Sequence, residues 1–312
     1  MRRPAVRRLL RGVLVLAAAV LGIVALSGRW SQVRAGLHRM SLVSVLLAAL
    51  AVLAGLFATQ LSWRALLADL GSPLPVRPAL RVFFLGQLGK YLPGSVWSFA
   101  AQAELGRDFE VPVRRSAAVG VLAVAFSLAS GLLVAAVTLP LLSRSSAAHY
   151  WPALALVPLA VAGLHPRVLN AVLTRVLRWV RRPALEHPLT LAGVIRCVVW
   201  AVLAWVAFGL QIVALAHALG AHGGRLWPLA IGGFALAWSV GFLVLFVPAG
   251  VGVREAALTA ALAPVLPAGE ALVVALVSRL LMTGGDLVWA VLAGALTPRR
   301  SRPAPEACDR LG

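Results

Sequence analysis

The chain has 312 residues, 61% hydrophobic and only 12% charged, with 29 basic against 10 acidic side chains and a formal net charge of +19. Apolar runs this long exclude a soluble globule built around one core, and the arginines cluster between the runs, where anionic headgroups and the positive-inside rule account for them without nucleic acid. Cys197 lies in an apolar run and Cys308 in the tail, and the six histidines lack ligand spacing, so neither a disulfide framework nor a metal site is indicated.

The first element, MRRPAVRRLLRG followed by VLVLAAAVLGIVAL, has the basic and apolar parts of a signal peptide, with Ala25-Leu26-Ser27 as its cleavage site, and serves equally as an uncleaved first span. A crossing takes roughly 20 apolar residues, and the runs 9–27, 41–63, 116–142, 191–219, 226–247 and 271–296 predict six. The run 149–164 is shorter and holds Pro152 and Pro158, which makes it a candidate seventh crossing, tilted or kinked. The stretches 76–92 and 255–268 are too weak to assign. Residues 167–182, RVLNAVLTRVLRWVRR, put Leu169, Val172, Leu173, Val176 and Val180 on one helical face and arginines over much of the rest. That pattern fits a helix lying on the inner leaflet or an ordinary basic loop.

A cytoplasmic N-terminus would gather Arg2, Arg3, Arg7, Arg8, Arg11, the basic residues from Arg64 to Arg115, and Arg167, Arg175, Arg178, Arg181 and Arg182 on the inside. Only Arg29, Arg34, Arg39, Arg144 and Arg225 would face out, and the tail with Arg299, Arg300 and Arg302 would also be inside. The expectation is one membrane domain over 1–298, with halves of about 1–145 and 146–298, and a disordered cytoplasmic tail over 299–312.

Moving the sequence by 155 positions lays Pro73 on Pro228, Gly86 on Gly241, Pro93 on Pro248, Val96 on Val251 and Pro112 on Pro267. It also lays run 41–63 on 196–218 and run 116–142 on 271–297, with opposite directions across the membrane, as inverted repeats require. In each half a proline-tipped element follows, 76–112 with Pro93 at its turn and 226–268 with Pro248 at its turn. Proline interrupts a helix and frees backbone polar groups, which membrane depth tolerates only in protein or beside a wet cavity, so two broken hairpins facing each other are a candidate substrate site. The alternative places both prolines at ordinary loop edges.

The first hairpin carries Lys90, Tyr91, Pro93, Gly94, Trp97, Gln102 and Glu104, the second Pro248, Gly250, Arg254 and Glu255, and the last span Arg279 and Asp286. Charges inside a span are costly and call for a partner or a cavity. Arg279 and Asp286, seven residues apart, share a face but stand two turns apart, too far for a tight pair unless Arg279 reaches down. Lys90 is the only lysine beside 28 arginines. A lysine is a compact point charge with three donors, suited to an anionic oxygen that is held and released, although drift in composition would also leave one lysine. GQLGK lacks the spacing and hydroxyl of a Walker A loop, GVGVRE lacks the third glycine of a dinucleotide fingerprint, and no nucleophile elbow is present. Glu104, Asp108 and Glu110 form an acidic group that suits a solvated interface better than acid–base work.

Gly89-Lys90-Tyr91-Leu92-Pro93-Gly94 with Trp97, the run Pro248-Ala249-Gly250-Val251-Gly252-Val253-Arg254-Glu255, and Arg279 resemble motifs of the flippase-like integral membrane proteins that share the lysylphosphatidylglycerol synthase transmembrane region. The family patterns are close to G-K-Y-hydrophobic-P-G-x-x-W and P-G-G-x-G-x-R-E, and Ala249 replaces a glycine of the second. The resemblance implies a multi-pass domain found in lipid translocation or beside lipid-linked glycosyl transfer. It does not imply aminoacyl transfer here, which needs a long polar C-terminal half.

The expectation is therefore an all-α polytopic bundle of about 6 to 8 spans in the inner membrane, with two inverted repeats and proline-broken or re-entrant hairpins. It would move an anionic phospholipid or polyprenyl-phosphate sugar and use no cofactor. Lys90 and Arg254 would hold the phosphate, Tyr91 and Trp97 would line its path, and the Pro-Gly breaks would offer polar backbone. The alternative is a membrane subunit or scaffold of a lipid-modifying enzyme or of a partner glycosyltransferase, with Glu104 or Glu255 as general base in the enzyme case.

Overall fold

A computed structural model describes residues 34–35, 38–91, 97–138, 157–158, 161–179, 186–243 and 252–296. The run 9–27, most of 149–164, the tail 299–312, and Pro93, Gly94, Pro248 and Gly250 lie outside the described residues. Among the described residues all regular structure is helical. The α-helices are α1 (Leu42–Asp69), α2 (Val76–Gln87), α3 (Trp97–Arg107), α4 (Val113–Thr138), α5 (Pro166–Trp179), α6 (Leu191–Ala218), α7 (Leu226–Leu243), α8 (Val253–Leu262) and α9 (Ala268–Leu296), and a 3-10 turn, Leu88–Tyr91, extends α2. The protein is an all-α polytopic helical bundle; α1, α4, α6, α7 and α9 are long and apolar enough to cross a membrane.

These helices are rich in Leu and Ala, good helix formers, and α1 and α6 are capped by local side chains. Ser41 accepts the Ser44 N–H at the start of α1 and Thr190 accepts the Gly193 N–H at the start of α6. Leu46 and Leu50 on α1, Val121 on α4, Val199 on α6, and Leu280 and Val291 on α9 are exposed on the outside of the bundle. An apolar exterior of this kind suits hydrocarbon as the surrounding solvent.

The centre of the bundle is the pair α1 and α6, which run antiparallel. Asp69 receives the Thr190 N–H and hydroxyl, each at 2.7 Å, and the Ser62 hydroxyl meets the Cys197 carbonyl at 2.9 Å. Further along, Phe208 fills the space where a side chain at Gly55 would stand. Antiparallel contact between equivalent helices is what a two-fold axis in the membrane plane produces. The remaining contacts obey the same exchange. α2 packs on α3 as α7 packs on α8, α2 meets α9 as α7 meets α4, and α1 meets α9 as α6 meets α4. The shift of 155 carries Val113, the start of α4, onto Ala268, the start of α9, while α1 and α6 correspond at a smaller offset, Leu42 with Leu191.

In each half the helix pair leaves from and returns to one end of the bundle. Arg115, at the exit of the first, donates to the Gly71 carbonyl at 2.8 Å and the Ser72 hydroxyl at 2.6 Å, so the chain leaves and returns at the Asp69 end. At the opposite end Arg39 binds both the Leu219 carbonyl at 3.0 Å and the Glu270 carboxylate at 2.6 Å, which joins the entrance and exit of the second hairpin. α7, long enough for a crossing, is thus the outgoing arm of a pair, α7 and α8, that starts and finishes at the same end. Gly86 and Gly241 let the arms approach, since a Cβ would stand 2.3 Å from Gln102 in the first and 3.0 Å from Arg254 Cβ in the second.

The amphipathic segment is helical from Pro166, as α5. Its apolar face divides: Leu169 and Leu173 dock on the core, whereas Val172, Val176 and Trp179 remain exposed beside Arg175 and Arg178. Val180 lies outside the described residues.

Candidate functional site

α9 is 29 residues long and Arg279 and Asp286 flank its midpoint, Met282. Both charges are therefore near mid-depth, the most costly position in a bilayer, and each has a partner from a different hairpin. Lys90 lies at the end of the 3-10 turn and its ammonium stands 2.6 Å from Asp286 Oδ2. The Tyr91 hydroxyl donates to the same oxygen at 2.7 Å. Asp286 is 3% exposed while the Lys90 side chain is 36% exposed, so the carboxylate is interior and the ammonium borders open space. On the other side Arg279 pairs with Glu255 Oε1, and Glu255 Oε2 accepts the Gly252 N–H at 2.6 Å at the start of α8. Arg279 and Asp286 do not pair in the way a reach down the helix would allow; each answers a separate hairpin.

Arg254 completes the group. Its guanidinium carbon lies 4.8 Å from the centre of the buried Phe234 ring, a cation–π contact with α7, and it is within electrostatic reach of Arg279, Glu255, Asp286 and Tyr91. Six of the residues singled out in the sequence, Lys90, Tyr91, Arg254, Glu255, Arg279 and Asp286, thus converge from the 3-10 turn, α8 and α9.

The position of the turn depends on Gly89. A Cβ there would stand 2.6 Å from the Ser98 backbone nitrogen, so only glycine lets the two arms of the hairpin close beneath Lys90. Trp97 opens α3 and is half exposed, lining a cleft of about 550 Å³ with Leu85, Leu88, Gly89, Ala100 and Ala101. Gln102 is buried between the arms against Gly86 and serves packing. Glu104 is 64% exposed and pairs with Arg107 one turn along α3 at 3.1 Å, away from the cluster.

Three contributors escaped the sequence reading. Phe234 supports Arg254, and Thr283 approaches the Tyr91 hydroxyl from α9. Trp289, one turn past Asp286, stacks on Phe57 of α1 and Phe84 of α2 and donates to the Leu53 carbonyl at 3.0 Å. It fixes the α9 face that presents Asp286. Aromatic residues in an apolar run carry no signal of this role until their partners are known.

A mixed cluster of three cations and two carboxylates can hold an anion by exchanging partners, since Lys90 is partly exposed rather than enclosed. Among the described residues no group of three or more His, Cys, Asp or Glu side chains is arranged to hold a metal ion. No curated protein matches the chain. Residues 9–290 match the family described as the lysylphosphatidylglycerol synthase TM region, so the chain belongs to that family of multi-pass membrane proteins.

Proposed function

We propose that the protein translocates an anionic phospholipid or a polyprenyl-phosphate sugar across the cytoplasmic membrane, with both termini in the cytoplasm. The observation that carries this reading is the mid-depth cluster, in which Lys90 and Arg254 come from opposite re-entrant hairpins and meet on α9. Family membership supports the broader statement, a membrane protein related to lipid handling. Inverted repeats with broken elements at the midplane allow access from either side by rocking one half against the other.

Purified protein in liposomes, without ATP, is expected to speed exchange of a fluorescent anionic phospholipid or polyprenyl-phosphate sugar between leaflets. Wild type and the double variant Lys90→Met, Arg254→Met both matching empty vesicles across such a panel would refute translocation. The alternative, a membrane subunit or scaffold for a lipid-modifying enzyme or partner glycosyltransferase, would then lead. Its enzymatic form needs a free general base, and both candidates are engaged: Glu255 through both oxygens and Glu104 with Arg107.

A further inference from the structure

Resting on that reading, we propose that the site selects a headgroup with one formal negative charge, a single phosphodiester, over doubly charged pyrophosphates. Lys90, Arg254 and Arg279 face Glu255 and Asp286, three cations against two anions, a formal balance of +1. Deep in a bilayer an uncompensated charge is costly, so the cluster is neutral when one monoanion enters. A dianion would leave a net negative charge that only a proton or counterion from water could cancel.

The balance holds when the surroundings are counted. The sequence segments 92–96 and 244–251 read LPGSV and VLFVPAGV and contain no titratable side chain, and α7 has none either. The other described carboxylates are committed or exposed elsewhere. Asp69 binds Thr190, Glu104 binds Arg107, Glu186 binds Arg114 and Arg115, and Glu270 binds Arg39. Asp108 and Glu110 are exposed in the turn before α4. Arg81, the buried cation of α2, stands nine residues before Lys90, roughly 15 Å along the axis.

The entering phosphodiester would take donors from Lys90 and Arg254 while Asp286 keeps the Tyr91 hydroxyl. No bond is made or broken and no proton need move.

The test is equilibrium binding to the full detergent-purified chain, with two probes that share prenyl tail and sugar and differ only in a phosphodiester or pyrophosphate link. Wild type is expected to bind the phosphodiester about tenfold more tightly. Asp286→Asn and Glu255→Gln each raise the balance by one positive charge, and each should bring the pyrophosphate at least to parity. Because these changes lie on different helices, failure of one variant to fold leaves the other. Glu104→Gln, outside the cluster, should keep the wild-type ratio. A pyrophosphate preference in wild type, an unchanged ratio in both cluster variants, or no binding of either probe would overturn the proposal. A protein that keeps the tenfold ratio and scrambles no lipid would sink the translocator reading alone, whereas equal scrambling and equal binding of both lipids would sink only the charge count.

Discussion

Asp286 is the hub of the cluster, because one of its oxygens receives both the Lys90 ammonium and the Tyr91 hydroxyl. Removing the ammonium leaves a buried carboxylate with a neutral donor. Lys90→Met should therefore lower stability in detergent by about 1–3 kcal/mol, less than a fully buried pair because Lys90 is partly exposed. Adding Asp286→Leu should restore most of that loss, since a broken ion pair costs more than an absent one. Lipid exchange should stay near background in both variants, and Lys90→Arg should retain part of it, because the charge persists while the planar fork fits less well. Thermal unfolding together with leaflet exchange checks this. A double variant with restored exchange would remove Lys90 from the site, and full exchange in both Lys90→Met and Lys90→Arg would make the lone lysine a matter of composition.

The hairpins are closed by two fastenings at opposite ends of the bundle that occupy equivalent positions, Arg115 near the start of α4 and Glu270 near the start of α9. They differ in burial. Arg115 is buried, and it satisfies the Gly71 carbonyl, the Ser72 hydroxyl and Glu186, whereas Glu270 reaches its helix end through a half-exposed Arg39. Buried charge-assisted hydrogen bonds outweigh exposed ion pairs. Arg115→Ala should cost about 2–4 kcal/mol and Glu270→Gln less than about 1 kcal/mol, read as detergent unfolding midpoints. Equal losses would mean that the two ends are fastened with similar strength despite their chemistry.

Across the molecule, the Asp69 end carries Arg107, Arg114 and Arg115, while Arg39 and Arg225 belong to the other end. Under the orientation proposed above, the positive-inside rule would put the Asp69 end in the cytoplasm. Single cysteines at Asp108 and Gly224, both exposed, should label from the cytoplasmic and external sides respectively in a Cys308→Ser background. Cytoplasmic labelling of Gly224→Cys would reverse the orientation, and labelling of both positions from one side would refute the opposed hairpins.

Much of this was legible from residues alone. Apolar run length foretold the helices of α1, α4, α6 and α9, because a helix in hydrocarbon must satisfy its own backbone and announces itself within one stretch of sequence. The offset of 155 matched the start of α4 to that of α9, and the cost of intramembrane charge marked Arg279 and Asp286. Partner choice was not legible. Composition allowed run 226–247 to cross, while the Arg39 contacts with Leu219 and Glu270 return its chain to the same end. Likewise, Gln102 and Glu104 sit in the same hairpin as Lys90, yet one packs against Gly86 and the other pairs with Arg107. Hydrophobicity is a local property that sets which segments leave water. Whether Asp286 meets Lys90, 196 positions away in sequence, depends on how Trp289 seats α9 between Phe57 and Phe84, and that contact exists only once the helices have packed.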